Sequence, residues 1–181
     1  MFEFLWKRKG QAVQKEAIKP VEQPKAVEQG VVPGTQLHYD SNLVPNLVAD
    51  HQVLLGIFGE IGVAMNQKNM ALVKQKLGEF GDALRGHLLK ENIRFYVYLQ
   101  HSLEGEPDNA AIMHDFRKEM QHIGKAVADF LHKYTADGDW SEAMWQDFLQ
   151  EVGGIGKVLV KRIQTEENVL YPLYLPVQDY K

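Results

Sequence analysis

Two residue types able to bind a cation stand one helical turn apart in RGHLLKENIRFYVYL, residues 85–99, where His87 and Glu91 are four positions apart. The apolar positions around them run Val73, Leu77, Phe80, Leu84, then Phe95 and Tyr98 at spacings of three and four, so His87 and Glu91 fall on the stripe that faces a core. A buried imidazole and a buried carboxylate cost several kcal/mol each unless paired, hydrogen-bonded or bound to a metal. His51 lies on a second such stripe with Leu43, Leu47, Leu54, Phe58, Ile61 and Met65. Arg162 and Glu166 lie four apart on a third, after Trp145, Phe148, Val152, Ile155 and Leu159. Two histidines, two carboxylates and an arginine aimed at one core are expected to form a single buried site.

Four helices are needed to carry these stripes. The first starts at an N-cap on Ser41 or Asn42, and the second runs from about Met70 to Leu103 after a turn at Gln67, Lys68 and Asn69. The third follows GEPDNAA, with Pro107 in its first turn and Asp108 or Asn109 near its cap. Its stripe of Met113, Phe116, Met120, Ile123, Val127, Phe130 and Tyr134 brings nothing charged to the core. Ser141 caps the fourth, and Pro172 and Pro176 stop it. No alternating strand pattern competes. The expected fold is all-α, an antiparallel up-down four-helix bundle over residues 41–175, with a flexible, disordered N-terminal tail at 1–40 and a short C-terminal tail at 176–181.

The tail is set apart by composition, because residues 10–36 mix Lys, Glu, Gln, Val and Pro without apolar period. Its tip joins Phe2, Phe4, Leu5 and Trp6 to Lys7, Arg8 and Lys9. That is the pattern of a small anchor for a partner groove or a membrane surface, although an ordinary frayed terminus is the simpler expectation. Residues 1 to about 36 are expected to be dispensable for folding but needed for localisation or partner capture.

Composition limits the function. The chain of 181 residues has a net charge of −4, which gives no electrostatic case for nucleic acid. It has no cysteine, which removes thiolate nucleophiles, zinc–cysteine clusters and iron–sulfur centres. No nucleophile–base pair, phosphate loop or dinucleotide fingerprint appears, so no enzyme activity is expected. No secretory leader or long apolar span stands out, and a soluble cytoplasmic protein is the default expectation. His38, His101 and His132 read as surface residues. Arg94 and Tyr96 read as outward and, with Tyr98 at the edge of the stripe, as a contact patch, and glycines at 56, 59, 62, 78, 81, 153, 154 and 156 suggest close helix contacts within the bundle.

The residues Asp50-His51 in ADHQVLL, the His87-x-x-x-Glu91 pair and the closing TEENVLYPLY with Glu166, Glu167 and Pro172 resemble the hemerythrin-like (HHE cation-binding) four-helix bundles over residues 42–174. The resemblance implies a core cation site, a non-haem di-iron centre in the family's iron-binding members, with His51, His87, Glu91 and Glu166 as the matching ligands. Those members carry histidines about where this chain has Met120 and Arg162. His114 and His122 lie off the inner stripe and inherit no ligand role.

A second resemblance, to the regulator of sigma D family of anti-sigma factors, rests on LGEFGDALRGHLL with RFYVYL and on VGGIGKVLVKRIQTEENVL. It implies a protein partner in the transcription machinery. Charge balance keeps three states of the core open, since Arg162 and a protonated histidine can neutralise Glu91 and Glu166 without metal. The favoured expectation is a metal-poor core network in a binding, sensing or regulatory module, with no cofactor. A mononuclear site and a complete iron pair that binds O2 or NO are the alternatives.

Overall fold

The structure is a computed structural model that describes residues 30–32 and 35–180, so the anchor at residues 2–9 and most of the expected tail lie outside it. Helix α1 spans Leu43–Asn66 and α2 spans Met70–Lys90. A π-helical turn, Glu91–Phe95, joins α2 to α3, Tyr96–Ser102, so that the two form one rod. Helix α4 spans Pro107–Thr135, and α5 spans Glu142–Thr165 and continues through a second π-helical turn, Glu166–Leu170. The four rods close a ring in which α1 packs on α2, α2 on α4, α4 on α5 and α5 on α1. The only strand-like pairing among the described residues is one isolated bridge, Val31 with His38.

Local chemistry sets the helix ends. Asn69 accepts a hydrogen bond from the Leu72 amide at 3.1 Å, and Ser141 accepts one from Met144 at 3.2 Å, each satisfying an amide with no helical partner. Two expected caps differ. Asn42 holds the cap position of α1 without a side-chain bond, its own amide donating to Asp40 Oδ1. Glu106, not Asp108 or Asn109, precedes α4, with Pro107 at its start and the Asn109 amide donating to the Glu106 carboxylate at 2.6 Å. Close approach is confined to fewer glycines than expected. A Cβ on Gly156 would meet Phe58 Cε1 at 2.7 Å and one on Gly81 would meet Leu131 Cδ1 at 3.1 Å, whereas Gly56, Gly59, Gly62, Gly78, Gly153 and Gly154 face nothing within 4 Å.

Helix α1 is long and apolar enough, by length and composition, to cross a membrane, contrary to the reading that no such span exists. It is a bundle helix here: Leu47, His51, Leu54 and Ile61 are buried, and Lys90 and Lys76 on α2 pair with its Asp50 and Glu60 at 2.7 Å.

The core has two apolar ends. One gathers Leu54, Leu77, Phe80, Phe130, Trp145 and Phe148. The other gathers Leu47, Phe95, Leu99, Met113, Leu170 and Tyr174. Along α1 the order is Leu47, His51, Leu54; along α2 and its π-turn it is Leu84, His87, Glu91, Phe95; along α5 it is Val152, Arg162, Glu166, Leu170. The reversal from rod to rod is the antiparallel arrangement, and it places one polar layer between two apolar ones.

Part of the expected tails belongs to the bundle. Val32 is fully buried in the second apolar end, Tyr39 stacks on Tyr174 at 5.0 Å, and the Asp40 amide donates to the Tyr174 hydroxyl at 3.1 Å. Thr35 closes this strap by donating to the Val32 carbonyl and accepting from the Leu37 amide. At the other terminus Tyr180 donates to the Leu173 carbonyl at 2.7 Å, and Val177 packs on the same apolar end. The composition that suggested free chain at 30–40 and 176–180 hides one fully buried residue, Val32, and the partly buried Leu37, Tyr39, Val177 and Tyr180. A chain that starts at residue 41 is expected to lose about 2–3 kcal/mol in urea denaturation against one that starts at residue 30, the effect of re-exposing Val32 and the strap contacts. Equal stability would mean that the strap adds nothing to the fold.

Candidate metal centre

The π-turns explain which side chains reach the layer. In each turn an amide bonds the carbonyl five residues back, Tyr96 to Glu91 and Tyr171 to Glu166, which inserts one residue relative to an α-helix. One residue is about 100° of rotation, so the residues beyond each carboxylate turn onto the inner face. Tyr96, expected to point outward, is therefore buried, as is Tyr98, whose hydroxyl donates to the Leu175 carbonyl at 2.6 Å. Of that expected contact patch only Arg94 is exposed, 3.7 Å from Asp40.

The layer brings together all five polar residues that the sequence pointed to. His51, His87, Glu91, Arg162 and Glu166 are each at most 5% exposed. His51 Nε2 lies 3.1 Å from Glu166 Oε2, and the two rings of His51 and His87 are 4.7 Å apart. His87 Nε2 lies 3.7 Å from Glu91 Oε2. One ligand atom from each of His51, His87 and Glu166 falls within 4.8 Å of the others. Both histidines turn the opposite nitrogen to a carboxylate at the rim: His51 Nδ1 to Glu167 at 2.8 Å, and His87 Nδ1 to Asp50 at 3.6 Å.

On the other side of the layer Arg162 makes a fan of contacts. Nε donates to Glu166 Oε1, Nη2 donates to the Tyr96 hydroxyl at 3.0 Å, and Nη1 donates to Glu119 at 3.4 Å. The guanidinium also lies 4.9 Å from the centre of the Phe116 ring. Tyr171 donates to Glu91 Oε1 at 3.0 Å and lies 3.2 Å from His51 Nε2. Met120, on α4, is partly exposed. His114, His122 and His132 are exposed on α4, and His101 is partly exposed beside Glu104.

Burial and neighbours set the protonation states. Burial, reinforced by the nearby His51, pushes His87 down to about 4, so it is a neutral imidazole. Burial and the charge of Glu166 push Glu91 up to about 8, so it holds its proton at neutral pH. Burial also works against charge on His51 and Glu166, but their mutual contact, with Glu167 on one side and Arg162 on the other, outweighs it; His51 is raised and Glu166 lowered. Burial raises Tyr96 and Tyr171 above the usual phenol range.

The model of the hemerythrin HHE cation binding domain matches residues 42–174. The chain belongs to that family. No curated protein and no solved structure matches it. The family's namesake cation suits the donors here. The Glu167 carboxylate, 2.8 Å from His51 Nδ1, favours the His51 tautomer that leaves Nε2 as a ligand, and the Asp50 carboxylate lies 3.6 Å from His87 Nδ1, beyond hydrogen-bond reach. Glu91 Oε2 and His87 Nδ1 are buried without a hydrogen-bond partner, and a cation bound by the first would satisfy it. His51, His87 and Glu166 would hold such an ion, which supplies fixed positive charge to the hemerythrin-like core when bound; the expected ligand Glu91 lies 3.7 Å from His87 but outside that close group.

Sequence reasoning missed Tyr96, Tyr171 and Glu119. A signal for the tyrosines was present: Glu91-x-x-x-Phe95-Tyr96 and Glu166-x-x-x-Leu170-Tyr171 repeat one pattern. Glu119 had no comparable signal, because it sits beside the inner stripe and reaches in only because Arg162 meets it.

Proposed function

We propose that this hemerythrin-family bundle is a regulatory or sensing module that works by reversible binding of a divalent cation at His51, His87, Glu91 and Glu166, not by turnover. The observation that carries this reading is the orientation of both histidines, Nδ1 toward Glu167 or Asp50 and Nε2 toward the inner carboxylates. Imidazole with carboxylate suits Fe2+, Mn2+ and Zn2+, and iron is the ion the family resemblance favours.

Protein stripped by chelator and given excess Zn2+, or Fe2+ without air, is expected to melt about 5–10 °C higher, the effect of an ion at a hundred times its dissociation constant on a domain this size. His87→Ala should fold and lose the shift. An unchanged melting point in the stripped protein would sink the cation reading.

That outcome would favour a second reading, in which the layer is a metal-free network that fixes helix register and the bundle acts by binding a protein. The pairing of Arg162 with Glu166 and of Tyr171 with Glu91 favours it, because each carboxylate already has one partner. Binding of O2 or NO belongs to the first reading, and a sigma-factor partner to the second.

A further inference from the structure

The polar layer is built from two copies of one half-site. On the long rods His87-x-x-x-Glu91-x-x-x-Phe95-Tyr96 repeats as Arg162-x-x-x-Glu166-x-x-x-Leu170-Tyr171, each with its π-turn starting at the glutamate. On the other two helices Asp50-His51 repeats as Glu119-Met120. The rim contacts repeat as well: Asp50 faces His87 at 3.6 Å and Glu119 faces Arg162 at 3.4 Å. The halves are laced together, since Tyr171 of the second donates to Glu91 of the first and Tyr96 of the first accepts from Arg162 of the second. The first half offers two imidazoles and a carboxylate. The second offers a guanidinium and a carboxylate, Arg162 and Glu166.

We propose that Arg162 is the permanent occupant of the second half-site, a built-in cation that limits the layer to one metal ion and selects divalent over trivalent ions. The assignment rests on the cation reading above. Glu166 makes the equivalence concrete: Oε1 accepts from Arg162 while Oε2 faces His51 Nε2 at 3.1 Å, so one carboxylate joins the guanidinium to the half-site of the ion. Arginine cannot shed its proton, so a second ion would meet a buried like charge with no further imidazole to bind it. Counted in their metal-binding forms, both histidines neutral and both glutamates ionised, the ligands against Arg162 leave one net negative charge. A divalent ion turns this to one net positive charge and a trivalent ion to two, and uncompensated charge is costly at this depth.

Native mass spectrometry and competition titrations on the full chain test this with Zn2+ and the redox-inert Ga3+. The wild type is expected to bind one Zn2+ per chain. Arg162→Met is expected to shift the Ga3+ to Zn2+ affinity ratio at least tenfold toward Ga3+, Arg162→Lys to keep the wild-type ratio, and the double change Met120→His with Arg162→His to bind two Zn2+. Two Zn2+ in the wild type or in Arg162→Lys, or an unchanged ratio in Arg162→Met, overturns the proposal while leaving the cation site intact. No Zn2+ in the wild type overturns both. Should Arg162→Met not fold, the stoichiometries of the wild type and Arg162→Lys decide the question.

Discussion

Arg162→Ala is expected to destabilise the ion-free protein by about 3–5 kcal/mol in urea denaturation, the usual result of removing one partner from a buried charge cluster. The side chain is 5% exposed and touches Glu166, Tyr96, Glu119 and the face of Phe116. The stranded group is Glu166, which stays ionised and keeps only His51 as a charged partner. Glu91 is not stranded with it, because it carries its proton and is already bonded to Tyr171. A change of under about 1 kcal/mol, the scale of an exposed ion pair, would mean that the guanidinium reaches water and does not hold the layer together.

The ion-free protein is expected to lose about 2 kcal/mol or more of stability between pH 6.5 and 8. Glu91 is raised to about 8 against an ordinary value of 4.5, so in this window the folded state holds a proton that the unfolded state has released, and stability falls as pH rises. His51, also raised, adds a loss of the same sign above its ordinary 6.5. Between 4.5 and 6.5 the trend flattens. His87, held down at about 4, is protonated there only in the unfolded chain and pulls the other way. Below 4.5 Glu166, lowered in the fold, gives up its contribution. A bound ion takes the place of the protons on Glu91 and His51, so the loaded protein should not show the decline. Melting temperatures across this range check both states, and an ion-free protein whose stability is level or rising from pH 6.5 to 8 would show that Glu91 is ionised in the fold.

The bundle and the five polar residues of its layer were legible because helical period alone puts His51, His87, Glu91, Arg162 and Glu166 on inward stripes. The same period misplaced Tyr96. A π-turn breaks the repeat of 3.6, so Tyr96, five positions beyond Glu91, turns inward as well as Phe95, which a rule that assumes an unbroken helix does not provide for. The strap failed for another reason. Val32 lies beside Val31 in a short stretch with no helical or strand period, and its burial depends on contacts more than a hundred residues away, such as that between Asp40 and Tyr174, which no local pattern encodes. Proton placement was legible only in part: a neutral His87 follows from burial alone, but the proton on Glu91 depends on Glu166 as a close neighbour.

The polar layer also sets how the molecule comes apart. It separates an apolar end formed by the long parts of the four rods from a smaller end formed by α3, the residues after the second π-turn, the starts of α1 and α4, and the strap. Few apolar contacts cross the layer, so the smaller end is the natural unit to open first, by local unfolding and not by loss of the whole bundle. Glu91 and Glu166 stand at the boundary of that unit, each at the first residue of a π-turn. Exchange of an ion bound at the proposed site would therefore be a matter of kinetics at one end of the bundle. Its rate is tied to how firmly Val32, Tyr39 and Tyr174 hold that end shut.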